Sequence, residues 1–357
     1  MTMNVEFYYR KKIPVVILGA TGLVGQKFVQ LLDGHPWFVI ESLVASEKSV
    51  GKTYEEATDW QMSIPIPEEI ATMRVEPCKP DIDATIAFSA LDSSVAWEIE
   101  EEFAKVGYAV VSNTSSHRMD PMVPLVIPEV NNRHFKLIEN QGYHEHGFIV
   151  TNPNCAVIAL AMALKPVYDQ FGIEAVQVAT MQAISGAGNQ KEVKLEVDDN
   201  IIPFIEEEEE KIEKEPLKIL GILTKETFTS AEFSISAQCN RVPVSEGHME
   251  NISMKLGEAA TKQDIIDLWS NFKGEPQGLQ LPTAPQHPIH YFHQDEFPQP
   301  KKQRDIEKGM AVSIGRLREC SNFDWKFSIL SHNTIRGAAG CAILNAELLV
   351  KQGYIYW

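Results

Sequence analysis

Cysteine, basic charge and long apolar runs are all scarce in this chain of 357 residues. The five cysteines are scattered, odd in number and without a Cys-x-x-Cys pair, which argues against a disulfide framework and against a bound metal. Lysine and arginine total 32 against 49 aspartates and glutamates, a net charge of −17. That balance disfavours nucleic acid and anionic membrane as partners. Anionic small molecules stay possible, provided that the cations holding them are local. No apolar run approaches the roughly 20 residues that a membrane span needs. The segment Met1–Lys12 mixes aromatic and charged residues and lacks the apolar centre of a secretory signal. Together these scarcities lead us to expect a reducing, cytoplasmic setting.

Hydrophobic content is 44% and charged content 23%, ordinary values for a globular protein, and the length suffices for two domains with their own cores. No internal repeat or disordered linker interrupts the chain. Its most informative stretch is Thr151-Asn152-Pro153-Asn154-Cys155. A strand-like run, Gly147–Thr151, leads into it, and the apolar run Ala156–Leu164 leaves it as a buried helix. Asn-Pro-Asn suits a tight turn and a helix N-cap. Cys155 then falls in the first helical turn, where orphan N–H groups and the dipole favour thiolate and can hold an oxyanion. Taken alone, such a cysteine is more often a structural one in the core.

The beginning of the chain supplies context. Pro14–Leu18 is a short buried strand, followed by Gly19-Ala20-Thr21-Gly22-Leu23-Val24-Gly25 and an amphipathic helix to about Leu32. Strand, glycine turn and helix in that order open a dinucleotide-binding unit, with the pyrophosphate on the helix N-terminus. Gly19, Thr21, Gly22, Leu23, Val24 and Gly25 are the expected cofactor contacts. The next strand, about Val39–Val44, ends in Ala45-Ser46-Glu47-Lys48-Ser49. An NAD enzyme places a carboxylate there for the ribose hydroxyls. Two hydroxyls and a cation, from Ser46, Lys48 and Ser49, suit a 2′-phosphate better, so NADP is the expected cofactor; Glu47 is compatible with either. Asp83–Ser89 and Tyr108–Asn113 read as further parallel strands, with Ser89 at the cofactor crevice. Arg118 follows the second of these, at a carboxyl strand end where ligands bind in open α/β sheets, and is a candidate anion clamp.

Beyond Cys155 the pattern changes. Ala175–Met181 reads as a strand ending at Gln182. Glu196–Leu220 reads as acidic and helical, with five consecutive glutamates at 206–210 that suggest a solvated face. Ser234–Arg241 and Met249–Leu256 alternate like antiparallel strands. Gly274–Gln303 has no period and reads as a long loop or subunit contact. Met310–Leu317 and Trp325–His332 read as strands, and Asn333-Thr-Ile-Arg-Gly opens a last apolar helix. Parallel βα units followed by an antiparallel pattern predict an α/β fold. In it a Rossmann dinucleotide-binding domain joins an α+β catalytic domain with a mixed or antiparallel sheet.

The motifs Gly19–Gly25, Ala45–Ser49, Ser112–Arg118, Asn152–Cys155, Gln182–Gly188, Arg241–His248 and Asn333–Gly340 run in one order along the chain. In that set the chain resembles the aspartate-β-semialdehyde dehydrogenases, in their archaeal and fungal branch. The resemblance implies reversible, NADP-dependent reductive dephosphorylation of L-4-aspartyl phosphate through a cysteine acyl-thioester, a step that makes aspartate semialdehyde for lysine, threonine and methionine synthesis. It implies Cys155 as nucleophile, His248 as general acid/base and Gln182 as the residue orienting the acyl group. It implies substrate contacts from Arg241 to the α-carboxylate, Arg118 to the phosphate, Asn154, and a Glu-x-x-Lys pair that fits Glu208 and Lys211. Ser185, Gly186 and Asn333 fall to the cofactor. It further implies domains at 1–154 and 155–333, with 334–357 packing back on the first, and a homodimer or homotetramer. Two departures stand out: Ala156-Val157 after the cysteine, where the family often has Ser or Thr, and Gly188-Asn189-Gln190 after the glutamine motif. Malonyl-CoA/succinyl-CoA reductases share most of these residues, and a non-catalytic NADP-sensing module is the alternative of another class.

Overall fold

The computed structural model describes residues 12–143, 146–187, 190–224 and 228–356. The first eleven residues and Gly188 and Asn189 of the glutamine motif therefore lie outside the described residues. The first half builds β1 (Ile13–Leu18), α1 (Leu23–Leu32), β2 (Phe38–Val44), β3 (Val75–Glu76), β4 (Ile86–Ser89), α2 (Ser93–Lys105), β5 (Ala109–Ser112) and β6 (Phe148–Thr151). Its strands form one sheet in the order β3-β2-β1-β4-β5-β6, and every pairing is parallel. That order is the doubly wound arrangement of dinucleotide-binding domains. The runs Ile86–Ser89, Ala109–Ser112 and Phe148–Thr151 are buried at all positions, as a parallel sheet covered on both faces requires.

Next come α3 (Cys155–Phe171), β7 (Ile173–Gln182), α4 (Glu208–Ile219), β8 (Ser234–Arg241), β9 (His248–Leu256), β10 (Ile289–Phe292), β11 (Val312–Glu319) and β12 (Trp325–Ser331). These strands form a second sheet in the order β8-β7-β9-β12-β11-β10. It is mixed: β8 pairs with β7 and β10 with β11 in parallel, and the remaining pairs are antiparallel. Helix α3 is buried from Ala156 to Leu164 and shares an apolar core with this sheet. A helix apolar all round can only be stable when covered on all sides. After β12 a π-helical turn, Ile335–Ala339, leads into α5 (Gly340–Lys351), which returns to the core of the first sheet through Ala342, Ile343, Leu344 and Leu348.

Two segments differ from their sequence reading. The unpatterned stretch 274–303 contains β10, an edge strand whose Ile289 lies opposite Val312. Four residues flanked by prolines carry no readable period. The acidic segment 196–220, expected to be helical, is not so in its first part: the helix Gln190–Glu196 ends where the segment begins, α4 starts only at Glu208, and Asp199 and Glu207 between them have positive φ. Pro203 lies in the gap and cannot donate a helical hydrogen bond.

A buried ion pair ties the chain's distant parts together. Arg336 in the π-helical turn donates to both carboxylate oxygens of Glu129, at 2.8 and 2.7 Å, and neither side chain is exposed. Gly337 follows it, and a Cβ there would lie 2.8 Å from the Cβ of Cys155. Removing one partner of a buried pair leaves an uncompensated charge. Glu129→Ala is expected to cost about 3–5 kcal/mol, read as a lowered midpoint in urea denaturation, with the Glu129→Ala/Arg336→Met double variant recovering much of the loss.

Candidate active site

Three strand ends bring the site together. Arg241 ends β8 opposite Gln182 at the end of β7, and Met249 of β9 lies opposite Met181, which sets His248 beside Gln182. Along β9 burial alternates, so His248, Glu250, Ile252, Met254 and Leu256 all face inward. Period-two geometry thus turns His248 toward the helix packed on that face. The helix is α3, and its first residue is Cys155.

The Cys155 Sγ and His248 Nε2 are 3.2 Å apart. The other ring nitrogen of His248, Nδ1, accepts the backbone N–H of Ala183 at 3.1 Å. A nitrogen that accepts carries no proton, so the imidazole proton sits on Nε2 and points at the sulfur. Burial, then the charges of Arg241 and His332, hold the His248 pKa down to about 3, so the ring is neutral near pH 7. A thiolate–imidazolium pair would set an Nδ1 proton against the Ala183 N–H, and the geometry disfavours it. His248 is arranged to donate toward the sulfur or an oxygen bound near it.

The helix start is held from three directions. Asn154 caps α3 through its Oδ1, which accepts from the Ala156 N–H at 2.9 Å. Its Nδ2 donates to Glu208 Oε1 and Oε2 at 2.8 and 3.0 Å. Its backbone N–H donates to Glu215 Oε2 at 2.6 Å. Glu208 Oε2 also takes the Gln182 amide at 3.0 Å. Of the five glutamates at 206–210, Glu208 alone is buried, and Lys211 lies 3.7 Å from it. The solvated face expected of this run is therefore interrupted by one residue turned into the site. Arg118 and Arg241 are both buried. Arg118 donates to Glu215 Oε1 at 3.0 Å and to the carbonyl of Asn113 at 2.8 Å, while Arg241 donates to the carbonyl of Ala183 at 2.7 Å.

The helix-start expectation of a thiolate does not hold in this structure. Although Cys155 keeps some exposure, burial of its sulfur and then the Glu208 carboxylate push the thiol up to about 12, against the pull of Arg118 and Arg241. Desolvation outweighs the dipole here. Cys320 shifts in the opposite direction. Backbone N–H groups of Asn322 and Phe323, the Ser253 hydroxyl and Lys326 hold its pKa below the usual thiol range.

On the other side of Cys155 the carboxyl ends of the first sheet face a glycine turn. Gly19 adopts φ +79°, and a Cβ on it would lie 2.4 Å from the Ala90 carbonyl oxygen. A Cβ on Gly25 would lie 2.3 Å from the Gly19 carbonyl oxygen. Only glycine fits either place. Gly22 is the N-cap of α1 and no side chain caps that helix, so the first-turn amides of Leu23, Val24 and Gly25, beside Thr21, are available to an anion. A dinucleotide pyrophosphate fits this cradle. Ser46 and Lys48 are exposed and Ser49 half-buried in the turn after β2, whereas Ser89 is fully buried at the end of β4. Asn333 lies beside the segments that carry Gln182 and His248: its Nδ2 donates to Ser185 Oγ at 2.9 Å, and its Oδ1 accepts the Gly247 N–H at 2.8 Å. Gly186 packs against His248 and Arg241, within 3.0 Å of where its Cβ would stand.

The residue set resembling a dehydrogenase is thus gathered around Cys155, and relatives with known names bear on it. The chain matches the models of the semialdehyde dehydrogenase NAD-binding domain over residues 14–138 and of the semialdehyde dehydrogenase dimerisation domain over residues 164–336. It is 45% identical over 346 residues to the aspartate-semialdehyde dehydrogenase of Archaeoglobus fulgidus, covering 96% of this chain and 99% of that one. The chain belongs to the aspartate-semialdehyde dehydrogenase family. The Schizosaccharomyces pombe member is 46% identical over 351 residues, covering 95% of this chain and 98% of that one. A crystal structure of the Candida albicans family member with NADP superposes with a TM-score of 0.88 at 39% identity, covering 97% of this chain and all of that one, 100%. A Vibrio cholerae member, solved in complex with ASA, gives a TM-score of 0.77 at 26% identity, covering 96% of this chain and 99% of that one. Like its family, the chain is an oxidoreductase.

The hydrogen bonds also expose what motif reading passed over. Glu215 was not singled out, although it stands seven residues after Glu208, on the same helical stripe as Lys211 and Lys218. Lys218 Nζ donates to the carbonyls of Arg118, Asp120 and Val123 at 2.6, 2.6 and 2.8 Å and so holds the segment that carries the arginine. Asn152 joins Asn113 Oδ1, the Ala338 carbonyl and the Asn345 amide at 2.8, 3.0 and 2.6 Å.

The thiol environments give a test. Alkylation needs thiolate, so well below the thiol pKa the rate at Cys155 is expected to rise about tenfold per pH unit, without a plateau below pH 10. At pH 7 iodoacetamide is expected to label Cys320 before Cys155, with loss of activity following Cys155 alone. Peptide mass spectrometry across a pH series measures both.

Proposed function

We propose that the chain converts L-4-aspartyl phosphate reversibly to L-aspartate 4-semialdehyde through an acyl-thioester on Cys155, using NADP. The observation that carries this reading is the 3.2 Å contact of Cys155 with the proton-bearing Nε2 of His248, with buried Arg118 and Arg241 acting on the same sulfur. Attack by Cys155 on the acyl carbon forms the C–S bond and breaks the C–O bond to phosphate. The thiol proton leaves with the phosphate, which departs as hydrogen phosphate. NADPH, its pyrophosphate held by the Gly19–Gly25 turn, would supply the hydride equivalent that takes the thioester to the aldehyde level. His248 Nε2–H stabilises the oxygen on which charge then develops; collapse frees the aldehyde and leaves Cys155 as a thiolate, which takes from solvent the one proton that the overall reduction consumes. A thiol near pKa 12 is a fair leaving group only when the departing sulfur is stabilised, and the His248 donor is aimed at it.

The remaining roles follow from charge and reach. Gln182 and Asn154 orient the acyl group, and both are fixed by Glu208. Glu208 and Lys211 take the substrate's amino group and phosphate, Arg241 its α-carboxylate, and Arg118 the phosphate. Gly19, Thr21, Gly22, Leu23, Val24 and Gly25 hold the pyrophosphate. Ser46, Lys48 and Ser49 lie at the 2′-phosphate, and Ser89, Ser185, Gly186 and Asn333 line the nicotinamide end. The family model of a dimerisation domain supports assembly of like chains, here read as a homodimer or homotetramer of a cytoplasmic enzyme. The division of labour is read as residues 1–154 for the cofactor and 155–333 for catalysis and assembly. Among the described residues no helix is long and apolar enough to cross a membrane.

Assay of NADP, phosphate and aspartate semialdehyde against NADP, CoA and malonate semialdehyde tests the substrate; CoA-dependent turnover without phosphate overturns the reading. Arg118→Leu is expected to raise the KM for phosphate and affect semialdehyde less, and Arg241→Leu to do the reverse. His248→Ala is expected to lower kcat by about a hundredfold or more, with the Kd for NADP retained. Loss of NADP binding instead would make His248 a structural residue.

A further inference from the structure

The mechanism above gives no task to a buried carboxylate that touches the cysteine turn directly. Glu215 on α4 is 2% exposed. One of its oxygens accepts from Arg118 Nη1 at 3.0 Å, and the other accepts the backbone N–H of Asn154 at 2.6 Å. Burial pushes its carboxyl above the usual range, while Arg118 and the Asn154 amide pull it back. Two short bonds from a cation and an amide, one to each oxygen, are the environment of a carboxylate.

We propose that Glu215 is a positioning residue that couples the cationic clamp to the nucleophile. Through Asn154 it fixes the residue that caps α3, and so the direction of the Cys155 Sγ. Through Arg118 it fixes the guanidinium that is to receive phosphate. The Arg118 Nη2 is held by the Asn113 carbonyl at 2.8 Å, so Glu215 and that carbonyl together set the plane of the fork. The same helix anchors the other side of the arginine, because Lys218 grips the Arg118 carbonyl at 2.6 Å. A single rigid helix therefore holds Arg118 by its side chain and by its backbone, and holds the Cys155 turn through the Asn154 backbone N–H on Glu215 and the Asn154 side-chain amide on Glu208. The separation of cation and sulfur is a property of α4, not of the loops that carry them. The Arg118 arm of this inference rests on the phosphate role proposed above; the Asn154 arm does not.

Glu215→Gln keeps an acceptor for the Asn154 N–H and loses the charge on Arg118. Glu215→Ala loses both. A hydrogen bond to a charged group contributes about 1.5–3 kcal/mol, or roughly ten- to a hundredfold. We expect Glu215→Gln to raise the KM for phosphate about tenfold, with kcat, the Kd for NADP and the alkylation rate of Cys155 kept within about threefold. Glu215→Ala is expected to raise the same KM and also to change the Cys155 alkylation rate at pH 8 by about tenfold or more. Equal phosphate KM in wild type and Glu215→Gln, with Arg118→Leu raising it, overturns the Arg118 arm. An unchanged alkylation rate in folded Glu215→Ala overturns the Asn154 arm. If Arg118→Leu leaves the phosphate KM unchanged, the phosphate reading fails, and the alkylation rate still decides the link to Cys155. If Glu215→Ala does not fold, Cys155 alkylation in Glu215→Asp decides that arm. The shorter side chain cannot reach both partners, so an unchanged rate there overturns it.

Discussion

Everything in the site depends on how Asn154 is held. It is the last residue before the proposed nucleophile, and its side-chain oxygen, side-chain nitrogen and backbone N–H are all committed. The side-chain oxygen caps α3 at Ala156, the side-chain nitrogen rests on Glu208, and the backbone N–H rests on Glu215. Each bond lies in a buried environment, where an unsatisfied polar group would cost about 1–3 kcal/mol. The turn therefore has one arrangement, and the sulfur one direction. Gly337 closes the remaining side, because any larger residue would press on Cys155.

The Cys155–His248 contact acquires its chemical meaning from a backbone amide. Had Nδ1 of His248 faced an acceptor, the ring would have been free to take the thiol proton at Nε2. Facing the Ala183 N–H instead, it presents a donor. Ala183 follows Gln182, so the residue proposed to orient the acyl group and the amide that orients the histidine come from the same strand end. The Ala183 carbonyl also accepts from Arg241. One peptide segment thereby ties together the donor to sulfur, the candidate carboxylate clamp and the orienting amide. The cost of this packing falls on the thiol, which is desolvated and keeps its proton until a substrate provides a place for it.

The elements of the first half were legible because their patterns are local. A strand, a glycine turn and a helix in succession carry their own signature, and the all-apolar run after Cys155 reads as a buried helix. The mixed second sheet was less legible. Its pairing is set by contacts between distant strands, and β10, with four residues among prolines and histidines, has no signal of its own. The run of five glutamates by itself reads as a solvated face; the resemblance pointed to Glu208, but only the docking of α4 against the Asn-Pro-Asn turn decides that Glu208 and, seven residues on, Glu215 point inward. Cys320 escaped notice because the groups that lower its pKa include Ser253 and Lys326, brought close by the sheet.

The sequence by itself determined the chemistry on offer: one cysteine after an N-cap turn, a glycine cradle for a dinucleotide, and arginines in a chain of net charge −17 that must bring anions to local cations. These follow from residue type, spacing and short-range backbone preference. The tertiary structure alone decided the protonation and direction of those groups. The proton on His248 Nε2, the thiol held near pKa 12 and the glutamate that joins Arg118 to Asn154 each depend on residues far apart in the chain. Asn154 and Glu215, for example, are 61 positions apart. Desolvation and hydrogen bonding act through space, and only packing brings their agents within reach.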